Sequence, residues 1–168
     1  PVTTPAQYQK IIEYIKIAKE EGATCVLGGK EYFDTNSKKS RFIEPTIFTN
    51  VTNNMRIAQE EVFGPVLSVI MFEDEDEAIS IANDIVFGLA AGVWTKNIRR
   101  ALKMSEAIKA GTIWVNTYRA VSYSSPFGGF KRSGHGRESG QDSIKEFLQV
   151  KSVWISTETN TSNPFILR

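Results

Sequence analysis

The sequence carries one cysteine and one histidine among its 168 residues. A lone cysteine excludes an internal disulfide and a cysteine-based metal cluster. The single histidine, His135, has no neighbouring ligand set, so no metal site is expected. No apolar run approaches the roughly 18 residues a membrane span requires. No signal-peptide pattern opens the chain, and the expected compartment is the cytosol. An excess of charge is missing too: 20 basic residues oppose 19 acidic ones, for a formal net charge of +1. That balance supplies no strong attraction to polyanions, so neither nucleic acid nor membrane is expected as a partner. What is present is globular, with 41% hydrophobic and 23% charged residues in a chain long enough for one domain and a sizeable core.

The most informative stretch is Gln59-Glu60-Glu61-Val62-Phe63-Gly64-Pro65-Val66-Leu67. Gly64 and Pro65 stop any preceding helix, and the residue before a proline avoids the α region. The pattern predicts a short helix over 53–60, a forced turn, and a strand leaving it. A carboxylate and a phenyl ring at the mouth of a strand would face a ligand at the carboxyl edge of an α/β sheet. An exposed glutamate pair beside a core phenylalanine has the same spacing.

The remaining chain alternates. Tyr8, Ile11, Ile12 and Ile15 recur at helical spacing after Thr4 and Pro5, a cap and a first-turn proline. That helix ends near Gly22, a short strand covers 24–27, and residues 30–41 form a polar loop or hairpin. Residues 41–48 are extended, with Pro45 placing them at an edge or in an irregular strand. The apolar run 66–72 predicts a strand buried on both faces. The acidic run 73–77 fits the start of the next helix, where negative charge suits the helix dipole. A buried strand within 87–94, a helix over 97–109 with Ile98, Ala101, Leu102, Ser105 and Ile108 on one face, and a strand over 112–116 complete the order. This β-α-β-α-β succession specifies an α/β fold, a mostly parallel sheet with flanking helices.

Residues 117–140 break the rhythm, with five glycines between Pro126 and Gly140. The glycines do not match a phosphate-binding loop, because the strand and helix context is absent. A loop of this length is usually functional, and its aromatic content argues for order. A helix over 139–147 then leads into the alternating segment 147–155, which has the character of an edge strand seeking a partner. The tail after Ser156 is expected to be poorly ordered. Cys25 has no histidine near it in sequence to lower its pKa and is expected to be a small structural residue. His135, between two loop glycines, is expected to face solvent.

Four blocks stand in register: Glu60-Glu61-Val62-Phe63-Gly64-Pro65, Phe87-Gly88-Leu89-Ala90-Ala91-Gly92-Val93-Trp94-Thr95, Gly111-Thr112-Ile113-Trp114-Val115-Asn116, and Ser125-Pro126-Phe127-Gly128-Gly129-Phe130-Lys131-Arg132-Ser133-Gly134-x-Gly136-Arg137-Glu138. Together they resemble the carboxyl-terminal third of the NAD(P)-dependent aldehyde dehydrogenase superfamily, over nearly the whole chain. The resemblance implies a partial catalytic domain over 1–146, an oligomerisation strand over 147–157 that makes homo-oligomers, and a tail over 158–168. It implies that Glu61 accepts hydrogen bonds from the nicotinamide-ribose hydroxyls of NAD or NADP and that Phe63 packs beside that ribose. Phe127 and Val121 would line the aldehyde path. Glu138 would support a water and proton network, or be merely an acid at a helix N-terminus. The family forms a thioester from an aldehyde and a catalytic cysteine, then releases the carboxylic acid. Its nucleophile, general base and Rossmann domain lie upstream of the matched region, so this chain alone is expected to be inactive. The alternative is a non-catalytic remnant or an assembly module of the same fold.

Overall fold

The computed structural model describes residues 1–32, 41–157 and 165. Helix α1 (Pro5–Glu20) starts as its sequence dictates. The Thr4 hydroxyl accepts from the Gln7 amide at 3.2 Å, and Pro5 occupies the first turn, where its missing N–H costs nothing. Its inner face buries Ile11, Tyr14, Ile15 and Ala18. These meet Phe48, Val51, Ile57 and Val62 in one core cluster. Ile11, Ala18 and Phe48 lose all solvent contact, which makes this packing the main hydrophobic stabilisation of the amino-terminal half.

Strand β1 (Thr24–Leu27) leaves the helix, and β2 (Glu31–Tyr32) pairs antiparallel with β3 (Phe42–Ile43), while most of the polar stretch, 33–40, lies outside the described residues, and so does the expectation for it. Strand β4 (Thr46–Thr49) lies between β1, antiparallel, and β5 (Val66–Ser68), parallel. Pro45 therefore does not consign this segment to a sheet edge. It stands one residue ahead of the central strand, where no ladder donor is required. The buried Thr46 hydroxyl is fully used, accepting from the Gly29 amide at 2.9 Å and donating to the Glu44 carbonyl at 2.8 Å. Helix α2 (Arg56–Gln59) is the short helix before the Gly64-Pro65 turn, four residues rather than eight.

The carboxyl-terminal half packs α3 (Glu75–Asn83) beside α4 (Ile98–Ala107). Asp74 caps α3 by accepting from the Glu77 amide at 2.8 Å, and Glu75, Asp76 and Glu77 fill its first turn as the acidic run predicted. Arg100 pairs with Glu75 and Lys103 with Asp76 across the two helices. At their carboxyl ends the Asn83 side chain donates to the Ala107 carbonyl at 2.8 Å and accepts from the Lys109 amide at 2.7 Å. Between the helices run β6 (Phe87–Gly88) and β7 (Ala90–Val93), and β8 (Thr112–Val115) pairs parallel with β7.

Within the loop after β8, β9 (Phe130–Lys131) pairs antiparallel with β6. The Lys131 ammonium donates to the carbonyls of Asn83 and Ile85 at 2.8 and 2.9 Å, closing the carboxyl end of α3. The glycine-rich loop is thus ordered by its own ribbon, which periodicity did not reveal.

The alternation of strands and helices is as expected, but the pairing is not one parallel run. Among the described residues, two ladders are parallel and three antiparallel. β5 pairs with β4 instead of continuing toward β7. Residues 66–72 are not buried on both faces, since Leu67, Met71 and Phe72 are 57, 81 and 58% exposed. An apolar run signals surface that favours burial; it does not name the neighbour that covers it. Likewise only Ala101 of the α4 apolar face is buried within α4, while Ile98 and Leu102 are exposed.

The last helix is a 3-10 helix over Gln141–Phe147, and residues 148–157 form neither helix nor ladder among the described residues. Of the tail, 158–164 and 166–168 lie outside the described residues, and so does the expectation for them. No described helix is long and apolar enough to cross a membrane.

Candidate functional site

The Gly64-Pro65 turn gives the two adjacent glutamates different tasks. Glu60 is held from two sides: Arg56, one helical turn earlier, donates through Nε and Nη2 to its two carboxylate oxygens at 2.8 and 2.9 Å, and the Tyr14 hydroxyl donates to Oε2. The Arg56 guanidinium also stacks over the Tyr14 ring, 5.3 Å from its centroid. Hydrogen bonds from Arg56 and then Tyr14 pull the Glu60 carboxyl down to about 2. The same carboxylate raises the Tyr14 hydroxyl pKa, because ionising the phenol would remove the donor and add a like charge.

Glu61 is the reverse. Its backbone carbonyl accepts from the Lys10 ammonium at 2.8 Å, while its carboxylate is exposed and has no partner among the described residues. Phe63 follows with φ +56°, a conformation uncommon for a bulky residue, and its ring is 73% exposed. Both residues, with Glu60, line a cleft of about 620 Å³ together with Phe87, Leu89, Lys109 and Arg132. An unpaired carboxylate beside an unpaired aromatic face suits a ligand carrying hydroxyl donors on a flat apolar body.

Val121, Phe127 and Glu138 also come together. They line a second cleft of about 410 Å³ with Thr112 and Pro126. Phe127 and Glu138 exchange both backbone hydrogen bonds at 2.7 Å, an isolated bridge that ties the two arms of the loop. Glu138 precedes the 3-10 helix by three residues, so it is not a first-turn acid; Asp142 has that place. Its side chain instead borders both the second cleft and a third of about 300 Å³. The third also takes in Leu89 and Ser133 from the rim of the first, so the three clefts form a continuous surface. Arg137 borders the third cleft and also fixes the loop. It donates to the carbonyls of Gly129 and Gly136 at 3.1 and 2.6 Å and stacks on Phe130.

Cys25 lies on β1, with its thiol 3.4 Å from the Leu27 carbonyl and 3.7 Å from that of Gly28, and borders none of these clefts. His135 is exposed at the loop tip. No group of three or more metal-ligating side chains occurs among the described residues.

Sequence reasoning did not single out Gln7, Lys10, Tyr14 and Arg56, all of which touch residues 60–63. Arg56 and Glu60 stand at i, i+4, a spacing that could have flagged their pair. The four hydrogen bonds from α1 join residues 46 to 56 apart and left no local signal.

The family model for aldehyde dehydrogenases matches residues 1–153. An aldehyde dehydrogenase of Emericella nidulans is 48% identical over 153 residues, which is 91% of this chain and 30% of that protein. A betaine aldehyde dehydrogenase of Brucella anthropi is 49% identical over 155 residues, 92% of this chain and 32% of that protein. Among solved structures, an indole-3-acetaldehyde dehydrogenase in complex with NAD+ superposes with a TM-score of 0.84 at 45% identity, covering 90% of this chain and 30% of that one. A point mutant of Staphylococcus aureus betaine aldehyde dehydrogenase, with NAD+, reaches 0.90 at 42% identity, covering 98% and 34%. The chain thus spans about 30% of the length of the curated relatives it matches.

Proposed function

This chain belongs to the aldehyde dehydrogenase family, and on that premise we propose that it is the carboxyl-terminal portion of an NAD(P)-dependent enzyme that oxidises an aldehyde to a carboxylic acid. The observation that carries the reading is the Glu61 carboxylate, without a partner among the described residues, and the exposed Phe63 ring, both at the first cleft. A carboxylate accepts from both hydroxyls of a ribose diol, and a phenyl ring packs against the sugar and the nicotinamide. The residues present therefore fit the nicotinamide end of the cofactor. When bound, NAD or NADP supplies the hydride acceptor. Glu61 orients it, and Phe63 shields one side from water.

Phe127 and Val121 form an apolar wall for the aldehyde in the second cleft, and the Glu138 carboxylate beside them holds water in hydrogen-bonded order. Cys25 takes no part in thioester formation, because it sits on β1 away from all three clefts. The nucleophile and its base belong to a portion of the enzyme outside these 168 residues. Residues 147–155 form the oligomerisation strand of a cytosolic homo-oligomer, a role suited to Phe147, Val150 and Trp154, which are 85, 100 and 94% exposed.

Titration of the chain with NAD, followed by backbone amide chemical shifts, tests the cofactor assignment. Perturbation at residues 61–63 that disappears in Glu61→Gln supports it. Identical perturbation in the variant, or none at these residues, overturns it. With only the nicotinamide-side contacts, affinity weaker than millimolar is expected, less than about 4 kcal/mol of binding.

A further inference from the structure

The loop that follows β9 leaves a run of backbone donors unused. The N–H groups of Gly134, His135, Gly136 and Arg137 donate to no acceptor among the described residues. Gly134 and Gly136 have φ of +123° and +79°, while His135 between them keeps a negative φ, so the chain alternates in hand. Successive amides of such a stretch converge on one concavity, a form in which backbone collects an anion. The context differs from a strand-to-helix phosphate loop, because these donors stand in a loop between β9 and a 3-10 helix.

A fourth cleft, of about 550 Å³, opens on this run and is lined by Lys109, Lys131, His135 and Arg137 with Phe130 and three glycines. No carboxylate lines it, and none of the four basic residues enters an ion pair among the described residues. Lys131 and Arg137 are fixed by backbone carbonyls, which are neutral acceptors and leave the charge uncompensated. The Lys109 and His135 side chains have no hydrogen-bond partner among the described residues. Glu146 lies against Gly136 but borders the third cleft, not this one.

The cluster is assembled by contacts between distant parts of the chain. The Asn83 side-chain oxygen accepts from the Lys109 amide at 2.7 Å, and its carbonyl accepts from the Lys131 ammonium at 2.8 Å. Gly88 lets the two segments close up: a Cβ there would stand 2.4 Å from the Lys109 carbonyl oxygen and 3.1 Å from Phe130 Cβ. Arg137 is stacked on the Phe130 ring, 5.6 Å from its centroid, so its guanidinium is held at the cleft in advance.

We infer that this cleft binds a phosphate group, as inorganic phosphate or a phosphate monoester, with the amides of residues 134–137 as donors and Lys109 and Arg137 as counter-charges. A phosphate carries about −1.5 to −2 charges near neutral pH and three acceptor oxygens, which suits several cations beside a run of free amides better than one carboxylate would. The inference does not rest on the cofactor reading. Lys109 also borders the first cleft, but Glu61, Phe63, Val121, Phe127 and Glu138 do not line this one.

Sodium phosphate added to the 168-residue chain at constant ionic strength, followed by amide chemical shifts, tests this against sodium acetate and sodium chloride. Saturable shifts at Gly134, His135, Gly136 and Arg137 with phosphate alone are expected. Lys109→Met should raise the half-saturation concentration by about threefold and Lys109→Glu by about tenfold. The Lys109 side chain holds no other element, so neither variant should unfold the chain. Glycerol phosphate separates the two sources: tighter saturation than with inorganic phosphate assigns the site to an ester, weaker saturation to the free ion. Absent shifts, equal shifts with acetate or chloride, or an unchanged midpoint in Lys109→Glu overturn the inference. Shifts at Glu61 and Phe63 as large as those in the loop would overturn a separate site.

Discussion

Arg56 grips both oxygens of Glu60, at 2.8 and 2.9 Å, and so removes one of two adjacent carboxylates from the cleft chemistry. Its neighbour Glu61 keeps the free charge. The pair is partly solvent-exposed, 48 and 40% at the two side chains, so screening limits its energetic weight. Its titration is nonetheless measurable.

Acid should loosen the fold through Glu60. The folded carboxyl has a value of about 2 against an ordinary 4.5, so its contribution is complete above 4.5 and disappears as pH falls toward 2. Tyr14 acts at the other end: its raised value means a contribution present below 10 and lost as pH rises through the folded value. Urea midpoints from about pH 6 to 2 should fall less steeply in Glu60→Gln than in the wild type. At neutral pH the variant should lose about 2–4 °C in Tm. Parallel acid curves for the two proteins would contradict the assignment.

Gly111 should tolerate no side chain. A Cβ there would lie 1.7 Å from the Gly128 carbonyl oxygen, where the strand leading to Thr112 crosses the glycine-rich loop. Backbone must move to admit even a methyl group. Gly111→Ala should cost about 3 kcal/mol or prevent folding. It should also disturb the amide signals of Phe127 and Glu138 before those of α1. A urea midpoint within error of the wild type would show that the two segments separate easily.

The chain alone should show no aldehyde oxidation above background. Cys25 faces backbone carbonyls on β1, and the family reaction needs a thiolate and a base at the substrate. NADH absorbance with a panel of aldehydes checks this. Turnover that vanishes in Cys25→Ala would reverse the reading of that residue.

Self-association should depend on residues 147–155. They carry no ladder among the described residues, and their apolar side chains stand in solvent, with Val153 and Ile155 71 and 83% exposed. Sedimentation at tens of micromolar should give at least a dimer for the intact chain. A form ending at Glu146 should be a monomer. A monomeric intact chain, or equal association of both forms, would exclude this segment as the interface.

Contiguous residues determined much of this protein by themselves. Thr4 and Pro5 start α1, and Asp74 and the acids after it start α3, because caps are settled within a few residues, whereas α2 already ends at Gln59, ahead of the Gly64-Pro65 turn. The four motif blocks carried the family for the same reason: each is a short, position-specific string. Only the tertiary structure decided which strand lies beside β5, that β9 closes on β6, and that Pro45 precedes a central strand. Pairing is chosen by surfaces far apart in sequence, and an apolar stretch is compatible with several partners. The division of labour between Glu60 and Glu61 belongs to the same class. Two identical side chains stand side by side, and the one within reach of Tyr14, 46 residues earlier, and of Arg56 becomes structural. The other is left free to meet a ligand.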